Sequence, residues 1–312
     1  MTIAVMSGLI RPLLEPQLPD DLDVRWFMST EQALELAPMA DIGWFDLNDK
    51  DEMAKIISAA TNLKWLNSIY AGVDGMPLAQ LKSQGTIVTN GVGINAITIA
   101  EYVVMAMLTV AKGYRDVVRA QDRNEWLMDS PGKVELYGSK ALLLGYGAIG
   151  SLVEERLRAF NVDVTVVRRS AGPNTLTPDQ WRTRLGEFDW VILAVPATPE
   201  TDGMIGANEL AAMKPTATLI NIARGSVVDQ DTLITALNDK KIGAAFLDVT
   251  TPEPLPEDHP LWRVENAHIS MHLSGRAQDK MFVRSAQRFL ENLKRYRAGE
   301  PLTPQVNLDL GY

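Results

Sequence analysis

The sequence predicts an α/β protein built from two doubly wound parallel-sheet domains. Short apolar runs alternate with longer helix-like stretches along almost the whole chain, and this alternation is typical of βαβ units with a parallel sheet. The chain has 312 residues, which suits two domains at roughly 100–200 residues each. The strand candidates also fall into two sets, and a long helical pattern at residues 96–112 separates them.

The first set contains five strand candidates, each a short apolar run. These candidates are residues 3–6, 24–27, 42–45, 65–69 and 87–89. Helix-like stretches such as residues 31–36 and 52–60 lie between them. This order predicts βαβ connections and therefore one parallel sheet.

The second set contains six strand candidates. They are residues 141–144, 164–167, 190–195, 218–222, 244–248 and 267–270. Helical patterns at residues 149–160 and 229–239 lie between them. Six strands with intervening helices are enough for a complete doubly wound sheet.

Two long helical patterns, residues 96–112 and 278–298, are predicted to carry the chain from one domain to the other. Residues 1–96 together with 290–312 are expected to form the first domain, and residues 97–289 the second. Because the chain crosses twice, we expect hinged domains with a cleft between them.

The composition excludes several classes of function. The sequence has no cysteine, so it has no disulfide, thiolate metal site or cysteine nucleophile. With three histidines, no metal centre is predicted. The net charge of −9 without a basic run argues against nucleic acid or an anionic membrane as a partner. The start lacks a signal-peptide pattern, and the apolar segment 98–111 is too short to span a bilayer, so a cytoplasmic location is expected.

A glycine motif, Gly-Tyr-Gly-Ala-Ile-Gly at residues 145–150, follows an apolar strand and opens a helix. We expect Gly145 to allow the tight turn, Gly147 to let a pyrophosphate approach the backbone, and Gly150 to let the helix pack on the strand. The helix start at Ala148 and Ile149 would supply free N–H groups to the diphosphate. A glycine-rich packing turn is the alternative, but the strand–turn–helix context favours a dinucleotide site.

The end of the strand that follows this helix predicts the type of cofactor. An Asp or Glu at this place normally binds the adenosine ribose, but Arg168, Arg169 and Ser170 stand here. Two guanidiniums and a hydroxyl would bind a 2′-phosphate, so NADPH is predicted in preference to NADH. The alternative is that the arginines are solvated loop residues.

Polar residues follow three later strands, at the edge where ligands bind in such sheets. Arg224 follows the first, and its planar guanidinium suits a carboxylate. Glu253 lies between two prolines, and His272 comes just after the last strand. The other histidines, His259 and His268, are predicted to be structural.

With these motifs in place, the chain resembles the D-isomer-specific 2-hydroxyacid dehydrogenase family over most of its length. The motifs are residues 145–150, 195–201, 221–229, 247–262 and 270–275. The resemblance implies a flavodoxin-like substrate domain and a Rossmann cofactor domain. The paired arginines resemble the NADPH-dependent branch of glyoxylate and hydroxypyruvate reductases.

The resemblance also implies catalytic roles that match the chemistry of the side chains. His272 would be the general acid that protonates the keto oxygen of the substrate. Glu253 would hydrogen-bond the imidazole and favour its protonated form. Arg224 would bind the carboxylate and carbonyl of a 2-keto acid.

Further contacts rest on the resemblance alone. Residues 70–74 resemble the family's carboxylate cradle, with Ala71, Gly72 and Val73 as the substrate contacts. Asp248 matches a position that contacts the nicotinamide carboxamide. The remaining predicted cofactor contacts are Val195, Pro196, Ile222 and Ala223. Asp248 could instead cap a strand, and Gly72 could simply form a turn.

The predicted function is reduction of glyoxylate, hydroxypyruvate or a larger 2-keto acid to the D-2-hydroxy acid by hydride transfer from NADPH. The alternative is a nucleotide-sensing, co-repressor-like binding protein on the same fold. Met271 replaces the family's usual proline before the histidine, which leaves the substrate side chain open. A homodimer is expected from the resemblance, with residues 113–137 as an arm.

Overall fold

The computed structural model describes residues 2–73, 75–169, 172 and 174–311, and the chain divides into two units. The first unit comprises Met1–Asn95 and Gln278–Tyr312, and the second comprises Ala96–Ala277. The strands are β1 Ile3–Ser7, β2 Asp23–Phe27, β3 Ile42–Trp44, β4 Trp65–Asn67, β5 Ile87–Thr89, β6 Lys140–Leu144, β7 Asp163–Val167, β8 Thr175–Leu176, β9 Trp190–Leu193, β10 Thr218–Asn221, β11 Ala244–Leu247 and β12 Ala267–Ile269. The α-helices are α1 Arg11–Leu14, α2 Thr30–Leu36, α3 Lys50–Ala59, α4 Leu78–Gln84, α5 Ala96–Ala111, α6 Tyr114–Asp122, α7 Ala148–Ala159, α8 Ala207–Ala212, α9 Gln230–Asn238 and α10 Met281–Ala298.

The first unit contains a five-stranded parallel sheet in the order β2-β1-β3-β4-β5. This is the flavodoxin-like doubly wound order, as predicted. Side chains of a strand alternate between the two faces, so Val5 enters one buried cluster while Ala4 and Met6 enter the other. Both faces are therefore apolar, as a parallel sheet covered by helices requires.

Helix α10 belongs wholly to the first unit. Its residues Ala286, Phe289 and Leu293 are buried in a cluster with Trp44 and Trp65. The Phe289 ring stacks on Trp65 at 4.9 Å between centroids. The second boundary therefore falls after Ala277, whereas the sequence placed it at 289/290, within this helix. The amphipathic pattern predicted the helix but not which domain its apolar face would contact.

The second unit contains a seven-stranded parallel sheet in the order β12-β11-β10-β9-β6-β7-β8. Read outward from β6, this is the doubly wound Rossmann order, so the predicted fold class is confirmed in both units. Strand β8 is an addition that the sequence did not predict. It pairs with the end of β7, where Val166 stands opposite Thr175.

Helix α5 packs its apolar side chains against helix α7, with Val103 and Met107 buried beside Val153. Among the described residues, no single helix is long and apolar enough to cross a membrane. The neighbouring helices α5 and α6 reach that length and composition only when counted together, across a 71° bend.

His268 stays a predicted structural residue, and we expect its environment to make the stability of the second unit depend on pH. It stacks on Phe246 at 6.2 Å, and Arg115 donates a hydrogen bond of 2.6 Å to the neighbouring carbonyl of Ala267. Burial and then the charge of Arg115 lower the pKa of His268 to about 4. Between about pH 4 and pH 6.5, the imidazole of His268 is therefore neutral in the folded protein and protonated in the unfolded chain.

We expect the free energy of unfolding to fall as pH drops from about 6.5 towards 4, because the unfolded chain then binds the proton first. This group alone should contribute a loss of about 1–3 kcal/mol, discounted for partial exposure. The measurement compares urea unfolding at pH 7.5 and pH 4.5 for the wild type and His268→Phe, which keeps the aromatic stack. An equal loss in both proteins would contradict the assignment.

Candidate active site

The carboxyl ends of the parallel strands of the second unit bring the predicted site residues to one edge. Strands β6, β7, β9, β10, β11 and β12 end at Leu144, Val167, Leu193, Asn221, Leu247 and Ile269, and every predicted site residue of this unit follows one of them. Neighbouring strands lie about 4.8 Å apart, so the glycine turn after β6 is roughly 20 Å along the edge from the loop after β12. An extended dinucleotide can span such a distance across the edge of the sheet.

The first and third glycines of the motif are required by backbone packing. Gly145 has φ +101°, and a Cβ there would lie 2.4 Å from the carbonyl oxygen of Ala194. A Cβ on Gly150 would lie 2.4 Å from the carbonyl oxygen of Gly145. Gly145 thus makes the turn and Gly150 allows the helix to contact it closely.

Gly147 differs from both, because a Cβ built on it would meet no atom within 4 Å. Helix α7 begins directly afterwards, and no side chain caps its N-terminus. The N–H groups of Ala148 and Ile149 therefore face an open cradle at the positive end of a helix dipole. This combination of open space and backbone donors fits the pyrophosphate of a dinucleotide.

Arg168 follows β7 and is half-buried, whereas Arg169 is exposed. The Arg168 guanidinium lies over the Tyr146 ring, 5.3 Å from its centroid. The backbone at Gly172 also borders this guanidinium, because a Cβ added to Gly172 would lie 2.2 Å from Nη2 of Arg168. Ser170, the third predicted phosphate contact, lies outside the described residues.

His272 and Glu253 form a hydrogen-bonded pair. The imidazole Nδ1 of His272 lies 2.7 Å from Oε2 of Glu253. The other oxygen, Oε1, accepts a hydrogen bond of 3.0 Å from the N–H of Thr250. Partial burial acts to raise the pKa of Glu253. The hydrogen bonds from His272 and Thr250, with the nearby charges of His272 and Arg224, outweigh it and hold the pKa below its usual value.

This pairing leaves Nε2 as the imidazole nitrogen available to a ligand. A carboxylate on Nδ1 also orients the ring and stabilises the imidazolium. The pair can therefore donate a proton from Nε2 to an adjacent oxygen, or accept one in the reverse direction.

Arg224 stands beside this pair because the loops that carry them are in contact. A Cβ on Gly225 would lie 2.1 Å from the carbonyl oxygen of Thr250, so only glycine allows this approach. Asn221 is buried and stabilises the loop that carries Arg224 with two hydrogen bonds. Its Nδ2 donates to the carbonyl of Arg224 at 2.9 Å, and its Oδ1 accepts from the N–H of Ala223 at 3.0 Å. The half-buried guanidinium of Arg224 is thus held at the edge of the sheet.

Asp248 is buried and organises the loop that carries His272. Its carboxylate accepts hydrogen bonds from the Ser270 hydroxyl at 2.7 Å, from the N–H of Leu273 at 3.0 Å, and from both the N–H and the hydroxyl of Ser274. The N–H of His272 donates to the Asp248 carbonyl at 2.5 Å. These bonds hold a tight turn in which Met271 and His272 both have positive φ, at 55° and 56°. The cofactor contact implied for Asp248 stays a prediction.

The remaining predicted cofactor contacts follow β9 and β10. Val195 is half-buried and Pro196 is exposed, and the Pro196 carbonyl accepts a hydrogen bond of 2.7 Å from the Thr201 hydroxyl. Ile222 and Ala223, which precede Arg224 in the chain, are buried. All four lie at the same edge as the glycine turn, and their contact with a cofactor stays a prediction.

The predicted carboxylate cradle lies in the first unit, after β4. Ala71 is exposed, Gly72 is half-buried and Val73 is buried, and Asp74 lies outside the described residues. The Ala71 carbonyl accepts a hydrogen bond of 2.6 Å from Nδ2 of Asn90. The substrate-binding role of these three residues stays a prediction.

Asp46 holds the start of that segment. It accepts hydrogen bonds of 2.6 Å each from the Trp44 indole, the Ser68 hydroxyl and the N–H of Ile69. Burial raises the pKa of Asp46 to about 6, against these three hydrogen bonds. Sequence reasoning missed this residue. The only feature of the sequence that points to Asp46 is an acidic side chain two positions after the end of β3.

Together, the Rossmann sheet, the glycine turn and the His–Glu pair define a nicotinamide-dependent dehydrogenase. The sequence model described as "D-isomer specific 2-hydroxyacid dehydrogenase, NAD binding domain" matches residues 104–274. The chain belongs to the D-isomer-specific 2-hydroxyacid dehydrogenase family. It is therefore an NAD(P)-dependent enzyme that acts on CH–OH donors.

Individual relatives agree with this assignment. The chain is 31% identical to the glyoxylate reductase/hydroxypyruvate reductase of Homo sapiens over 274 residues, which cover 84% of this chain and 82% of that one. It is 30% identical to the D-3-phosphoglycerate dehydrogenase of Synechocystis over 292 residues, 92% of this chain but 52% of that protein. A D-isomer specific 2-hydroxyacid dehydrogenase family protein from Aeromonas salmonicida has a similar structure, with a TM-score of 0.86, 28% identity and 99% coverage of both chains.

Proposed function

We propose that this enzyme reduces glyoxylate, hydroxypyruvate or a larger 2-keto acid to the D-2-hydroxy acid with NADPH. The observation that carries the proposal is the 2.7 Å pair of His272 and Glu253 at the sheet edge that also bears the glycine turn. The position of Arg224 beside this pair supports an acid as the substrate, because a guanidinium binds a carboxylate with two parallel hydrogen bonds.

In the proposed mechanism, the bound nicotinamide cofactor supplies the hydride. His272 donates the proton from Nε2 to the keto oxygen, and Glu253 stabilises the imidazolium beforehand. Arg224 binds the substrate carboxylate, orients the carbonyl and stabilises negative charge that develops on its oxygen. In the direction of oxidation, His272 accepts the hydroxyl proton instead.

A spectrophotometric screen tests this function. The purified chain is mixed with NADPH or NADH and, in turn, glyoxylate, hydroxypyruvate, its 3-phosphate and larger 2-keto acids. We expect fastest cofactor oxidation with NADPH and one of the unphosphorylated acids. Tight cofactor binding without turnover of any acid would instead favour the nucleotide-sensing alternative.

The preference for NADPH rests on Arg168 and Arg169 at the end of β7, where an acidic residue would bind the ribose of NADH. We expect Arg168→Ala with Arg169→Ala to raise the KM for NADPH about 10- to 100-fold, because charge-assisted hydrogen bonds to a phosphate are lost. The KM for NADH should change by less than about 2-fold, since NADH lacks the phosphate. Arg184→Ala, which removes an exposed arginine paired with Glu187, is the matched control. Equal losses for both cofactors would contradict the preference.

We also propose a homodimer that uses residues 113–137. This segment exposes large side chains that a monomer would leave in water: Trp126 is 88% exposed and Met128 is 91% exposed. Light scattering should give twice the mass of the chain. A monomer mass would contradict the proposal.

A further inference from the structure

Tyr146, the residue between the first two glycines of the turn, is held by a side-chain network. Its hydroxyl donates a hydrogen bond of 2.5 Å to Oε2 of Glu154 on helix α7. The opposite oxygen, Oε1, accepts from Nη2 of Arg158 at 2.6 Å, one helical turn further on. The hydrogen bond of its hydroxyl therefore fixes the position of the Tyr146 ring.

The network leaves the Glu154 carboxylate engaged on both oxygens. Burial acts to raise the pKa of Glu154, but the bonds from Tyr146 and Arg158, with the charges of Arg158 and Arg168, hold it below its usual value. These two bonds fix the Glu154 carboxylate as the acceptor of the Tyr146 hydroxyl.

The fixed ring of Tyr146 supports Arg168. The guanidinium lies over the ring at 5.3 Å, and the backbone at Gly172 borders it on another side. A cation over an aromatic face is attracted to it. A long arginine side chain placed in this way loses fewer rotamers when it binds an anion.

We propose that Tyr146, anchored by Glu154, holds the Arg168 guanidinium in position for the 2′-phosphate and is a specificity-determining residue for NADPH over NADH. Tyr146 is a positioning residue, since it acts through Arg168. The inference rests on the proposed NADPH preference, and the experiment separates the two.

The test measures dissociation constants of NADP⁺ and NAD⁺ by titration calorimetry on the full chain, together with the KM of each reduced cofactor. We expect Tyr146→Leu to weaken NADP⁺ about 3- to 10-fold while NAD⁺ changes less than about 2-fold. Tyr146→Phe keeps the ring but loses the Glu154 bond, so its loss should be smaller. Phe160→Leu, an exposed aromatic at the other end of α7, is the matched control and should leave both constants unchanged.

A double-mutant cycle with Arg168→Ala gives the decisive readout. We expect Tyr146→Leu to cause no further loss of NADP⁺ affinity once Arg168 is replaced, because the ring acts through the guanidinium. A loss of both cofactors alike in Tyr146→Leu, or additive losses in the double variant, would overturn the inference. If Arg168→Ala weakens NADP⁺ and Tyr146→Leu does not, this inference alone fails. If Arg168→Ala leaves NADP⁺ binding unchanged, this inference fails, and if Arg168→Ala with Arg169→Ala also leaves it unchanged, the proposed cofactor preference fails with it.

Discussion

Replacing His272 with asparagine should lower kcat for 2-keto acid reduction by about 10²–10⁴-fold, the usual contribution of a general acid. Asparagine tolerates the positive φ of 56° at this position, so the turn that Asp248 holds should persist. It cannot transfer a proton. The dissociation constant of NADPH should therefore stay within about 2-fold of the wild type, because the glycine turn and Arg168, and not His272, would hold its phosphate groups.

The control for this variant is His259→Asn. His259 caps the short helix Pro260–Arg263, where it accepts a hydrogen bond of 3.2 Å from the N–H of Leu261, and asparagine can make the same cap. Its kcat should match that of the wild type. A His272→Asn enzyme that turns over at a near-normal rate would contradict the acid role, and loss of NADPH binding would show a structural one.

Replacing Arg224 with methionine should lower kcat/KM for the keto acid by about 10²–10³-fold, as expected when a donor to a developing oxyanion is removed. Methionine has similar length and flexibility, so packing is largely kept. Arg224→Lys restores the charge but not the planar pair of donors, and we expect only partial recovery. NADPH binding should be unchanged in both variants.

Steady-state kinetics at saturating NADPH separate these effects, with Arg184→Met as the control at an exposed salt bridge. A rise in KM alone would indicate a contact that binds substrate and transition state equally. An unchanged kcat/KM for the acid in Arg224→Met would exclude the assigned role.

Most of the fold follows from the sequence because buried parallel strands are continuous apolar runs. All five strands of the first sheet and six of the seven in the second occur within two residues of the predicted bounds. Strand β8 was missed because two residues carry no periodicity, and its pairing with β7 depends on tertiary structure.

The candidate catalytic side chains could be predicted because each follows a strand in a recognisable motif. The residues that support them could not, since their contacts join positions far apart in sequence. Ser270 donates to Asp248 across 22 residues, and Ser274 does so across 26. The sequence did not predict the register of β11 and β12. In the structure Leu247 stands opposite Ile269, and this register places Asp248 beside Ser270. The Tyr146 contact with Arg168 also depends on the packing of β6 against β7.

The most direct test of the central claim is a crystal structure of the enzyme with NADP⁺ and oxamate, an unreactive analogue of a 2-keto acid. We expect the oxamate carbonyl oxygen at about 2.6–3.2 Å from Nε2 of His272, the reach of a proton donor. We also expect the guanidinium of Arg224 within hydrogen-bond distance of the ligand and the Glu253 contact with Nδ1 intact. Oxamate bound elsewhere, with the His272 imidazole turned away from it, would contradict the account.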